Sequence, residues 1–320
     1  MQDLPHRAPG ISHDSASVAS PAQGVALALA ATSIWGLFPL VFKTVTHIAP
    51  LEVLAHRSLW ALVFAMLSMT VMGRREIFQR AFYAPRTLAV AMLSGLAVAV
   101  NWGTFIWAVS HDQVLQSSLG YYISPLVSVL LGVVLLRERL GLKGCVAIAF
   151  AAAGVALLVM RFGAVPWVAL SLAFSWALYG LVRKLAPVGS LPGLYLETLM
   201  LSPLALAFVV WLGVSDGAMV AGLGAAVFGA NLGDSVLLIV TGAVTALPLL
   251  LFARATRILR LSTIGVLMYI VPTVQFLLAV LVFGEPFTEA HLWAFMLIWA
   301  GLVIYAWDTL RGPKALRVGG

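Results

Sequence analysis

An ionisable side chain in the middle of a membrane helix costs about 2.5–3.5 kcal/mol on insertion scales, so it ordinarily faces a cavity or a partner. His56 and Arg57 lie about two turns into the apolar run at 51–72, and Glu197 lies about two turns into the run at 190–212. All of them are expected to line a central cavity, with Glu197 and His56 as candidates for a titrating, proton-coupled step. The alternative is a paired cluster of Glu52, Arg57 and Lys43 near the helix end, where Lys43 can also snorkel towards lipid headgroups.

Uncharged residues extend this set. Asn101 and Trp102 sit too deep in the run at 86–110 to belong to an interfacial aromatic belt, and Trp35 and Trp176 are further candidates. Aromatic faces take organic cations or ring-bearing ligands by stacking. Ser118, Tyr121, Pro125, Ser128 and Gly132 follow a three-four spacing and so share one helix face. That face reads either as a weakly polar cavity wall on a proline-loosened helix or as a small-residue helix seam. Tyr122, Tyr269 and Gln275 carry polar atoms that need partners, which favours a wetted wall.

Other chemistry finds no support. There is no HExxH helix, P-loop or GxSxG elbow, so nothing calls for a metal or another cofactor, and the chain is not itself an ATP-driven pump or an evident enzyme. The single cysteine, Cys145, allows neither an internal disulfide nor a cysteine metal cluster. A net charge of +7 comes from short basic clusters between apolar runs, without a continuous patch for nucleic acid.

The elements that must position these residues are membrane helices. The chain has 320 residues, of which 62% are hydrophobic and 10% charged, and its mean hydropathy is +1.03. One soluble core cannot hide that much apolar surface, so lipid must cover it. A span needs roughly 20 apolar residues. Ten such segments are expected, near 24–46, 51–72, 86–110, 113–136, 143–160, 165–184, 190–212, 235–255, 260–283 and 289–308. Arg74, Arg75, Arg80, Arg86, Arg137, Arg139, Lys143, Arg183, Lys184, Arg254, Arg257, Arg260, Arg311, Lys314 and Arg317 then fall on one side, which makes both termini cytoplasmic. The Ala/Gly-rich stretch 213–234 reads as an external loop or interfacial segment, because an eleventh span would reverse the later basic clusters.

The pattern is also doubled. Ser118–Leu140 matches Gly265–Phe287 about 147 positions later, laying Pro125 on Pro272 and Glu138 on Glu285. Gly24–Lys43 matches Val165–Lys184 at an offset of about 141, which places Glu197 at the equivalent of His56. Five helices per copy is an odd number, so the copies are inverted, as in transporters that rock two halves about a midplane site. The expected organisation is therefore an all-α integral membrane fold of ten transmembrane helices. A disordered cytoplasmic tail at 1–23 leads into a first repeat at 24–160, followed by a second, inverted repeat at 165–308 and a basic cytoplasmic tail at 309–320. Glu138 and Glu285 are expected to be boundary or capping residues.

The runs NWGTFIWAVSH at 101–111, SLGYYISPL at 118–126, LYGLVRK at 178–184, LYLETL at 194–199, VTALPLLLFARA at 244–255 and PTVQFLLAVLVFGEPF at 272–287 resemble the EamA family of the drug/metabolite transporter superfamily. The resemblance runs from about 24 to 308 and departs from the family pattern at Ser124 and Met268. It implies a multi-pass permease or exporter of the inner membrane, with a basket-like ten-helix fold and a central cavity for a small organic metabolite or drug. The competing class is a membrane assembly or signalling protein that keeps the fold without flux.

Overall fold

A computed structural model describes residues 20–71, 85–137, 141–186, 188–215, 226–259 and 261–311. The expected tail at 1–19, the basic turn with Arg74, Arg75 and Arg80, Glu138 and Arg139, Arg260 and the chain from 312 onward lie outside the described residues, as does 216–225 within the expected loop.

The helices are α1 Pro21–Gly36, α2 Phe38–Lys43, α3 Pro50–Val71, α4 Pro85–Ser110, α5 Val114–Leu136, α6 Leu142–Phe162, α7 Trp167–Leu185, α8 Ser190–Val214, α9 Leu232–Ile258, α10 Leu261–Leu267, α11 Ile270–Leu277 and α12 Glu289–Arg311, with a π-helical turn at Leu278–Val282. Among the described residues there is no strand, only an isolated bridge between Phe228 and Asn231. Ser20 caps α1, its hydroxyl accepting from the Gln23 amide while the Gln23 side chain accepts from the Ser20 amide. The helix therefore takes in residues 21–23, which composition had assigned to the tail.

Eight helical segments among the described residues are long and apolar enough to cross a membrane, with α1 and α2 counted as one. The sequence predicts ten. Helix α7 is not among the eight, and Arg183 and Lys184 occupy its last turn. The final repeated segment is broken into α10, α11 and the π-turn. A proline ring clashes with the carbonyl four residues earlier, and for Pro272 that residue is Met268, where the break falls. Pro39 stands in the same relation to Trp35, beside the interruption at Leu37 between α1 and α2. Pro125, by contrast, lies inside a continuous α5.

Helix α6 packs against α12, α3 against α8 and α9, α4 against α7 and α8, α5 against α7 and α11, and α1 against α9 and α11. The α6–α12 seam is reciprocal. A Cβ added at Gly154 would lie 3.0 Å from the Ala294 carbonyl oxygen, and one added at Gly301 would lie 2.7 Å from that of Ala147. Only a missing side chain permits backbones this close. The large buried cluster between the helices runs from Phe38 and Phe42 through Phe105, Leu119 and Tyr122 to Phe295 and Ile298.

One end of the bundle carries the turns at 44–49, 111–113, 163–166, 226–231 and 283–288, and several bonds tie the first half of the chain to the second there. His47 Nε2 meets Asp234 Oδ1 at 2.9 Å, and Glu52 Oε1 accepts from the amides of Val227 and Phe228 at 2.8 and 3.3 Å. Glu285 accepts from the amides of Val114 and Leu115, both at 2.7 Å, and so caps the N-terminus of α5 rather than its own helix.

Burial raises the Glu285 carboxyl above its usual 4.5, outweighing the lowering by the Leu115 and Val114 amides. A raised folded-state value favours the protonated form in the folded protein, so this contribution is complete below the unfolded value and is lost as pH rises through the folded one. Glu285→Gln, which does not titrate, should gain in melting temperature on wild type as pH rises above the usual carboxylate value, measured in detergent. Glu285→Ala should be less stable than Glu285→Gln by about 1–2 kcal/mol, since it leaves both amides uncapped.

Candidate functional site

The first two turns of α3 carry Glu52, His56 and Arg57, all buried. The paired cluster weighed from the sequence does not form: Glu52 turns to the amides of the 226–231 turn, and Lys43 pairs with Asp112. His56 stacks on Phe228 with ring centroids 4.5 Å apart, and its Nε2 has no hydrogen-bond partner.

Arg57 points into aromatic surroundings. Its guanidinium carbon lies 4.4 Å from the ring centroid of Trp102, 5.0 Å from Phe42 and 5.5 Å from Phe38. Nε and Nη1 are buried without a hydrogen-bond partner, and no carboxylate pairs with the group among the described residues. A cation–π contact supplies about 0.5–2 kcal/mol, whereas burying an ion costs several kcal/mol before any partner is found. The rings therefore offset the burial only in part.

Beside this cation is a closed polar hub. The Asn101 amide donates to the Leu172 carbonyl at 3.2 Å and to Ser175 Oγ at 3.1 Å, while its oxygen accepts from Tyr121 at 3.1 Å. The Tyr121 ring meets Trp176 edge-on at 6.2 Å, and Trp176 tilts against Tyr179 at 5.4 Å. The Tyr179 hydroxyl donates to Glu197 Oε2 at 3.4 Å. Glu197 is fully buried and also accepts from Ser94 at 2.8 Å, with Arg183 Nη1 at 3.5 Å. Asn101, Tyr121, Trp176, Tyr179 and Glu197 thus form one connected line, and Arg57 stacks on Trp102, the residue next to Asn101 in α4.

The other predicted residues sit elsewhere. Tyr122 hydrogen-bonds Thr273 at 2.6 Å and stacks with Tyr269 at 6.4 Å, on the opposite flank of α5. The Gln275 amide reaches the Trp35 carbonyl at 3.5 Å, its own oxygen being without a partner. Ser118 donates to the Pro272 carbonyl at 2.8 Å. The α5 stripe is accordingly divided, with Tyr121 on the hub and Ser118 on the seam with α11. Sequence reasoning missed Phe38, Phe42, Ser94 and Arg183. The four-residue spacing of Phe38 and Phe42 and the seven-residue spacing of Ser94 and Asn101 are the signals that place each pair on one helix face.

Two clefts lie away from Arg57. One of about 320 Å³ is lined by Asp112, Gln116, Phe162, Glu285 and His291, at the end where the halves are tied. Another of about 440 Å³ runs along the apolar flank of α4 and α7, between Leu96, Val100, Phe174 and Leu178.

An all-helical bundle with eight apolar spans and a line of buried polar and charged side chains defines a multi-pass membrane protein. Residues 22–160 match the model of the EamA-like transporter family. The chain is 39% identical over 294 residues to an uncharacterized transporter of Pseudomonas aeruginosa, covering 92% of this chain and 96% of that protein. It belongs to the EamA-like transporter family. Further relatives are the uncharacterized transporter YojE of Bacillus subtilis, 37% identical over 92% of this chain and 97% of the relative, and the protein RarD of Salmonella typhimurium, 40% identical over 90% and 96%. A crystal structure sharing 18% identity has the same fold, with a TM-score of 0.56 over 92% of this chain and 99% of that one.

The Arg183 head occupies the space of a missing side chain, since a Cβ at Gly193 would clash with the Arg183 guanidinium. Gly193→Ala should push Arg183 off Glu197 and lower stability by about 1–3 kcal/mol, the cost of leaving a buried charged acceptor short of a donor. Arg183→Met should cost a similar amount, and the double variant should cost little more than either single one; melting curves in detergent measure this cycle.

Proposed function

We propose that the protein is a secondary transporter of a small organic solute, a permease or exporter that works by alternating access between two inverted five-helix repeats at 24–160 and 165–308. In this reading it is a multi-pass protein of the inner membrane with both termini cytoplasmic. The ten spans comprise the eight apolar segments, α7, and the broken unit formed by α10, α11 and the π-turn.

The observation that carries the proposal is the reciprocity of the helix contacts. Exchanging the halves turns α4 on α7 into α9 on α1, α3 on α9 into α8 on α4, and α5 on α7 into the α10–α11 segment on α1, while α6–α12 and α3–α8 map onto themselves. At the α6–α12 seam the exchange holds by residue: Gly154 on Ala294 becomes Gly301 on Ala147, at the offset of the repeat. An axis of this kind in the membrane plane makes two tilted states nearly equivalent, which is the physical basis of alternating access. The family and the relatives named as transporters support the same reading.

The bonds of His47 with Asp234, of Glu52 with the 226–231 turn and of Glu285 with α5 join the halves at the external end. Transport requires them to open. In a Cys145→Ala background, a short cleavable thiol cross-linker between His47→Cys and Asp234→Cys should abolish solute counterflow in proteoliposomes, and its cleavage should restore it. Unchanged flux in the cross-linked protein would overturn the mechanism. Glu197 bridges to the first half through Ser94 and, with His56, is the candidate for proton coupling. Glu197→Gln should retain counterflow but lose its pH dependence.

A further inference from the structure

We infer that the solute carries a single carboxylate, or an equivalent monoanionic oxyanion, which binds at Arg57 among Phe38, Phe42 and Trp102. This inference rests on the transporter reading for what the site does, and on the geometry for what the site takes. Arg57 is buried to 3% exposure, its Nε and Nη1 have no acceptor, and its nearest neighbours are ring faces. An arginine keeps its charge under any ordinary condition and presents donors in a fork that matches a carboxylate.

The surrounding groups leave that role to the ligand. Glu52 is turned to the Val227 and Phe228 amides, and Lys43 is neutralised by Asp112. The Tyr121 hydroxyl is committed to Asn101, and Asn101 to the α7 backbone and Ser175. Arg183 is paired with Glu197. Among the described residues around the site Arg57 is the one cation left without an acceptor, which calls for a monoanion rather than a dianionic phosphate. The aromatic surroundings, extended by Phe105 packed on Phe42 at 5.7 Å, suit an apolar or aromatic body behind the charged group.

The test uses matched acids and amides: phenylacetate with phenylacetamide, benzoate with benzamide, phenethylamine as a cation and sodium chloride alone. The purified full-length protein is melted with each in zwitterionic buffer. The acids should raise the wild-type melting temperature, and each amide should need at least a tenfold higher concentration for the same shift. Arg57→Met should lose the response to acids and, without ligand, melt no lower than wild type, since it removes an unpaired buried charge. Arg57→Lys should retain a weaker response.

Equal shifts from acid and amide, unchanged acid binding by Arg57→Met, or no wild-type response to the acids would overturn the inference. If chloride alone reproduces the full shift and the acids add nothing, it is overturned as well. Should Arg57→Met fail to fold, the wild-type acid–amide comparison decides by itself. Counterflow separates this inference from the transporter reading. Phenylacetate bound through Arg57 in a protein that moves no solute of the panel would leave the anion site standing and remove transport. Movement of phenylacetamide or phenethylamine at the wild-type rate by Arg57→Met would leave transport standing and remove the anion.

Discussion

Lipid offers no hydrogen bonds, and that constraint organises this molecule. Every amide and carbonyl within the spans must find its partner inside the protein. Where a proline takes a donor out of a helix, the vacated acceptor becomes a place for another helix to attach. Pro39 has no N–H to give the Trp35 carbonyl, which Gln275 of α11 approaches; at the second break Ser118 of α5 donates to the carbonyl of Pro272 itself, an acceptor that the proline ring does not vacate. Both seams lie beside a proline, and in each a side chain of another helix donates to a backbone carbonyl.

The same constraint separates two kinds of buried polar group. Asn101 and Glu197 sit in networks that use several of their hydrogen-bonding positions, and such networks rigidify a core. Arg57, His56 and the Glu52 and Gln275 oxygens retain unsatisfied positions. The first kind holds the helices in register. The second marks where the protein alone does not complete its own chemistry, and Arg57 is the extreme instance because its charge is permanent.

Much of the scaffold was legible in the sequence, since apolar runs of about 20 residues and a repeated proline–glutamate unit report on helices directly. The capping role expected for Glu285 was legible too, but the helix it caps was not, because Val114 is far away in the chain and adjacent only in space. For the same reason the fate of Arg57 could not be read. Its neighbours in sequence, Glu52 and Lys43, are claimed by residues of distant turns. Pro125 and Pro272 look alike in the repeat, yet only the second accompanies a broken helix. Local pattern decides where a helix can weaken, and packing decides whether it does.

The Glu285 cap also sets an order of events during synthesis. The amides of Val114 and Leu115 open the α5 helix, and the carboxylate that satisfies them emerges 171 and 170 residues later. At roughly 5–20 residues per second, the ribosome delivers that cap about 10–30 s after the helix start has left it. For that interval α5 exists without the residue that caps it, and its first amides are bare donors that water or lipid headgroups must serve. The final docking of the halves is thus also the step that withdraws this helix end from water.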